Sequence, residues 1–175
     1  MAELETKEQA LAYLAQMSPT ETYQVQPFPN GWVCTKVLSP EEMNSGAGVG
    51  LARLVIDSET AIIYVYPSWS TTMVAEAHTA FKQTGANRAT RQIYPHQWSI
   101  TVQRIREDEE TIVYQLTAES LTDPPEPAQQ FPLTIEKHTR AYDPRNSLAR
   151  AAMSRAASAS RQNQGVWPEV ATTTV

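Results

Sequence analysis

Cys34 and three histidines, His78, His96 and His138, are the side chains with which this chain could run nucleophilic or metal chemistry. A thiol nucleophile needs a base within hydrogen-bond reach. Cys34 stands mid-run between Val33 and Thr35, a setting in which cysteine packs as a small hydrophobe. The histidines are isolated: there is no His-Glu-x-x-His or His-x-His spacing, and no Cys-x-x-Cys to complete a zinc site. His78 falls on or beside the apolar stripe of a helix, as a packed or rim residue. Gly46-Ala47-Gly48-Val49-Gly50 has the glycine density of a nucleotide loop. It precedes a strand, however, whereas phosphate-cradling glycines lead into a helix N-terminus, and it lacks the P-loop lysine and hydroxyl. Asp57, Glu59 and Glu119 could furnish a carboxylate pair, but Asp57 and Glu59 read as turn residues. These patterns predict no catalytic residue, no cofactor and no metal.

The charge pattern points to binding instead. Glu107-Asp108-Glu109-Glu110 places four adjacent acids between two strand-like runs. Such a tip is either a solvated turn or a surface that engages a basic cleft, where charge complementarity raises on-rate and specificity. The net charge of −5 is uneven. Residues 1–139 hold 17 acidic and nine basic side chains, while residues 140–175 hold Arg140, Arg145, Arg150, Arg155 and Arg161 against Asp143 and Glu169. The arginines recur about every five residues, which spreads them around a helix rather than forming the basic face of a nucleic-acid arm. An acidic body attracts basic partners by long-range steering. Among the four tryptophans, Trp69 follows a proline at a corner and is a candidate contact, since tryptophan is enriched at interface hot spots.

Periodicity supplies the elements that carry these groups. Thr6-Lys7-Glu8-Gln9 has capping-box spacing, and Leu11, Leu14 and Ala15 share one face of the short helix that follows. Residues 22–28 (TYQVQPF) alternate weakly, and 32–38 (WVCTKVL) form a strong strand. Residues 39–50 are a loop with one helical turn at Pro40-Glu41-Glu42-Met43. Leu51–Ile56 and Ala61–Tyr66 make a hairpin around Asp57-Ser58-Glu59-Thr60. Ser70 then caps a helix with Met73, Val74, Ala77 and Phe81 on its core stripe, ended by Gly85. A polar connector (86–92) leads to two strands, with Trp98, Ile100, Val102 and Arg104 on one face of the first and Ile112, Tyr114 and Leu116 alternating in the second. Leu133–Tyr142 reads as a further strand. Asp143-Pro144 reads as a cap and N1 proline opening a helix whose small-residue face is Leu148, Ala151, Ala152, Ala156 and Ala159.

Runs of strands followed by helices define an α+β fold: antiparallel sheet with an N-terminal helix, a central helix packed on the sheet and a C-terminal helix. One domain over 1–160 is expected, divisible into halves 1–85 and 90–160, with a polar tail at 161–175. With 41% apolar residues the chain can bury a core. The single cysteine excludes an internal disulfide framework and fits a reducing compartment. No run approaches the roughly 18–20 apolar residues of a membrane span, and MAELETKEQA lacks a signal peptide's regions. A soluble, cytoplasmic protein is expected.

Gly31-Trp32-Val33-Cys34, the loop Ser39-Pro40-Glu41-Glu42, and Gly50–Asp57 followed by Tyr64–Pro67 resemble small bacterial immunity proteins of polymorphic toxin systems, closest in style to YrhB-like (immunity protein 35-type) domains. The resemblance covers about residues 5–84. This chain has Ala61 after Thr60, where the family usually has glycine, and residues 90–160 have no counterpart. The resemblance implies a non-enzymatic protein that binds a cognate toxin domain and blocks its active site, the toxin being a nuclease, a deaminase or an NAD-degrading enzyme. The expected contacts are Glu107, Asp108, Glu109 and Glu110, with Trp69 and the 39–50 loop, including Glu41 and Glu42, as secondary contacts. The alternative is a secretion chaperone or adaptor that binds an exported partner protein. No nucleic-acid or membrane partner is expected, and the oligomeric state is left open.

Overall fold

A computed structural model describes residues 4–86 and 89–175, which form four helices and ten strands in two units, residues 1–95 and 96–175. The class is α+β with purely antiparallel sheets, as the alternation of strand runs and helices predicts.

The first unit contains α1 (Lys7–Met17), β1 (Thr22–Phe28), β2 (Gly31–Val37), α2 (Pro40–Asn44), β3 (Arg53–Asp57), β4 (Ile63–Tyr66), α3 (Thr71–Thr84) and β5 (Arg91–Tyr94). Its strands form a meander in the order β1-β2-β3-β4-β5. Thr6 and Gln9 close the expected capping box on α1, and Ser70 caps α3, which Gly85 ends in the left-handed conformation. Both faces of the sheet are covered. Trp32, Cys34, Leu54, Ile56 and Ile63 pack with Ala10, Tyr13 and Leu14 of α1. The intervening Val33, Val55 and Tyr66 pack with Val74 of α3. That two-sided burial is why β2 and β3 read as continuous apolar runs rather than as alternation. The stripe of α3 differs from expectation in one place. Met73 is half exposed, and the buried positions are Val74 and His78, one helical turn apart.

The second unit contains β6 (Trp98–Glu107), β7 (Thr111–Ser120), β8 (Gln129–Glu136), β9 (Tyr142–Asp143), α4 (Ser147–Gln162) and β10 (Val170–Thr174), with sheet order β10-β6-β7-β8-β9. Ile100, Val102, Tyr114, Leu116, Leu133 and Ile135 face the small side chains of α4, where Leu148, Ala152, Ala156 and Ser160 recur every fourth residue. Small residues let the helix backbone settle close to the sheet.

Three boundaries differ from the sequence reading. The strand read over 133–142 is interrupted, because a turn after Glu136 returns the chain so that Thr134 pairs with Asp143. Since Asp143 is held in that pairing, the cap of α4 falls to Asn146, whose Oδ1 accepts the Ala149 N–H at 2.8 Å. Residues 161–175, read as a polar tail, carry the end of α4, the buried Trp167 and the edge strand β10. Tyr114 Oη donates to the Pro168 carbonyl at 2.7 Å, and Ala171 pairs with Val102 in β6. Among the described residues, no helix is long and apolar enough to cross a membrane.

Candidate functional site

The acidic tip is the β6–β7 connection, and its four carboxylates do two different jobs. Asp108 closes the turn: Oδ1 accepts the N–H groups of Glu110 (2.9 Å) and Thr111 (2.7 Å), and Oδ2 accepts the Thr111 hydroxyl at 2.9 Å. Those donors, the Thr111 N–H first, hold its carboxyl below the usual range. Glu107 bridges Lys137 (2.6 Å) and Arg104 (2.7 Å), and the Lys137 hydrogen bond is the main cause of its lowered carboxyl pKa. Lys137 also donates to the Asp108 carbonyl, tying the β8 end to the tip. Glu109 and Glu110 are exposed and, among the described residues, make no side-chain ion pair. With Arg104, Arg106 and Lys137 close by in the fold or sequence, the surplus negative charge of the tip resides on these two residues.

A further feature at this tip escaped the sequence reading. The β6–β7 register shifts between Arg104 and Arg106, leaving Ile105 as a bulge residue with 58% of its surface exposed. Bulges re-aim side chains and strengthen local twist. Here the bulge leaves an isoleucine exposed on the same hairpin as the two glutamates, and the facing stretch of the partner strand, Ile112, Val113 and Tyr114, is buried without alternation.

The remaining predicted contacts lie in the first unit. Glu42 is committed to local structure: its carboxylate accepts the Ser39 N–H at 2.9 Å in a capping box and pairs with Lys36 at 3.2 Å. Its carboxyl pKa is lowered, by the Ser39 N–H first and by Lys36 next. Lys36 is shared with Glu21 at 2.9 Å. Glu41 is exposed and has no ion pair among the described residues. Met43 and Val49, on the same segment, are 65% and 89% exposed. A cleft of about 480 Å³ is lined by Leu38, Met43, Gly48, Leu51, Arg53 and Ser68, so the 39–50 segment meets the corner that precedes Trp69. The Arg53 Nε is buried there without a hydrogen-bond partner. Trp69 itself is half-buried against the α3 side of the sheet and lines a separate, shallow cleft with Val65, Tyr66, Pro67, Thr90 and Arg91.

A buried polar network joins α3 to the sheet. Asp57 Oδ1 accepts the N–H groups of Glu59 and Thr60, both at 3.0 Å, as its reading as a turn residue requires. Its other oxygen takes Lys82 Nζ at 2.8 Å and His78 Nε2 at 3.1 Å. Burial alone would raise this carboxyl, but Lys82, the Thr60 N–H and His78 outweigh it and hold it at about 2. His78 is fully buried among Phe28, Tyr64, Tyr66 and Phe81, and burial lowers its pKa despite Asp57. The neutral ring donates from Nε2 to Asp57 and accepts the Tyr66 hydroxyl at Nδ1, 3.0 Å away. The hydrogen-bond capacity of this network is used internally.

Cys34 is also fully buried, and burial pushes its thiol up to about 12. It packs on the α1 face of the sheet, whereas His78 packs on the α3 face, so the sheet separates this thiol from that imidazole. Among the described residues, no three His, Cys, Asp or Glu side chains cluster as a metal site would require. Comparison with protein-family models, with characterised proteins and with solved structures finds no match for this chain.

Proposed function

We propose that this protein is an immunity protein, an antitoxin that binds a cognate toxin domain in the bacterial cytoplasm and covers its active site. The observation that carries the reading is the β6–β7 tip: a turn locked by Asp108 and the Arg104–Glu107–Lys137 bridge, presenting Glu109, Glu110 and an outward Ile105. Preorganised charge lowers the ordering cost of binding. A toxin that acts on nucleic acid or on a phosphorylated cofactor holds phosphates in a basic cleft, which such a tip complements. The resemblance of residues 5–84 to toxin-immunity domains supports the same class.

A second reading has its own observation. Exposed Met43 and Val49 beside the 480 Å³ cleft suit an apolar helix, as an exported partner of a secretion adaptor would present. Co-expression with the adjacent reading frame separates the two. The immunity reading predicts rescue of growth and a stable one-to-one complex whose toxin activity is blocked. A complex that leaves a catalytic partner active, or a partner without catalytic activity, overturns it in favour of the adaptor.

A further inference from the structure

The second unit concentrates unpaired positive charge in one place. The turn between β8 and β9 and the C-terminal end of α4 enclose a cleft of about 430 Å³, within the few-hundred-Å³ range of small-ligand sites. His138, Arg140 and Arg161 line it, and among the described residues none makes an ion pair or hydrogen bond through its side chain. Lys137 lines it as well, with its ammonium engaged by Glu107. No carboxylate lines the cleft, although the protein is acidic overall. Two unbalanced guanidiniums on one concave surface repel each other unless an anion joins them.

An independent observation concerns the floor. Ser160 and Trp167 are only 6% and 7% exposed, and among the described residues neither the Ser160 hydroxyl nor the Trp167 indole N–H has a hydrogen-bond partner. Neither atom is among those sealed from solvent without a partner, so both keep some solvent access, and both residues line the cleft. Two open donors on residues that line the same cleft as two arginines form a set that an oxyanion completes. The C-terminal end of α4 carries a partial negative charge. The Ser160 carbonyl there is already taken by the N–H groups of Asn163 (3.1 Å) and Gly165 (2.8 Å), and the two arginines set two full positive charges against that partial one.

We infer that this cleft is a binding site for a small phosphorylated anion, held by Arg140 and Arg161 with the Ser160 hydroxyl and the Trp167 indole N–H as neutral donors. Guanidinium forks match phosphoryl oxygens bidentately, and charged hydrogen bonds of this kind are about twice as strong as neutral ones. The site shares Lys137 with the acidic tip, through its ion pair with Glu107, but the inference does not depend on the immunity reading.

The test titrates the full chain with inorganic phosphate, pyrophosphate and, as a carboxylate control, succinate, followed by calorimetry and by the Trp167 indole Nε1–H resonance. Pyrophosphate is expected to bind one-to-one, to move that resonance, and to bind more tightly than succinate. Both Arg140 and Arg161 are exposed, so Arg140→Gln and Arg161→Gln leave folding intact, checked by circular dichroism. Each is expected to weaken binding about tenfold, and Ser160→Ala to weaken it less. The inference is overturned by no saturable binding at about 10 mM pyrophosphate, by equal affinity in the double arginine variant, or by succinate binding as tightly as pyrophosphate.

Discussion

His78 Nε2 lies 3.1 Å from Asp57 Oδ2, so a fully buried imidazole on α3 is locked to the last residue of β3. Because burial lowers the His78 pKa, the unfolded chain accepts a proton near pH 6.5 that the folded site refuses. Stability is therefore complete above about pH 6.5 and falls as the pH drops below it. Asp57 adds a second window of the same sign. Its carboxyl stands at about 2 in the fold against an ordinary 3.8, so its contribution is present above 3.8 and lost as the pH falls through 2. That shift corresponds to about 2 kcal/mol. Urea unfolding at a series of pH values should show a decline beginning near pH 6.5. In His78→Gln that first decline should flatten, while overall stability falls by about 2–3 kcal/mol because the buried Tyr66 hydroxyl and Asp57 lose a fitted partner.

Gly31 opens β2 at φ +145°, and a Cβ there would lie 1.9 Å from the Ile56 carbonyl oxygen of the paired strand. Backbone cannot swing away as a flexible side chain can. Gly31→Ala should therefore destabilise the first unit by more than about 3 kcal/mol, measured as a lowered urea midpoint or as loss of soluble expression. Gly46, also at positive φ but with open space around its Cβ position, is the control. Gly46→Ala should cost about 1 kcal/mol or less.

Cys34 is fully buried and its thiol is pushed up to about 12, so at neutral pH it is both inaccessible and protonated. Alkylation by iodoacetamide should proceed only at the rate of unfolding and become fast in denaturant. Cys34→Ser places a hydroxyl among Leu54, Trp32 and Leu14 and should cost about 1–3 kcal/mol. Rapid modification of the folded protein would contradict this placement.

Elements with strong local signals were legible in the sequence. Thr6 and Ser70 announce α1 and α3, and the two-sided burial of β2 and β3 appears as the unbroken runs around Cys34 and Val55. The short strands β5 and β9 and the edge strand β10 were not, because pairing with a neighbour rather than their own composition makes them strands. The tip was half legible. Four acids in a row mark a turn, but the residues that neutralise Glu107 come from three positions earlier and from Lys137, across the sheet. The Ile105 bulge is a property of β6–β7 register and has no one-strand signature. The role of His78 needed Asp57, Tyr66 and Lys82 to be brought together from three elements.

That division of labour at the tip makes the binding proposal testable in a way four adjacent acids would not. The side chains of Glu109 and Glu110 are exposed and make no hydrogen bond or ion pair among the described residues, so Glu109→Lys with Glu110→Lys should leave stability within about 0.5 kcal/mol of wild type. If the tip enters a basic cleft, the same double variant should weaken the partner complex at least about tenfold, mainly through a slower on-rate, with the difference shrinking as salt is raised. Asp108→Ala should behave in the opposite manner. It removes the acceptor of two N–H groups and a hydroxyl, loosening the turn, and should lower the urea midpoint and affect the complex through disorder of the loop rather than through salt-dependent steering. Ile105→Ser separates the apolar contribution: exposed in the free protein, it should cost little stability but raise the off-rate if the bulge is buried by the partner. Surface-plasmon or stopped-flow association measured at two salt concentrations distinguishes the three variants. An on-rate unchanged by the double charge reversal would remove the tip from the interface and shift attention to the Met43 and Val49 surface.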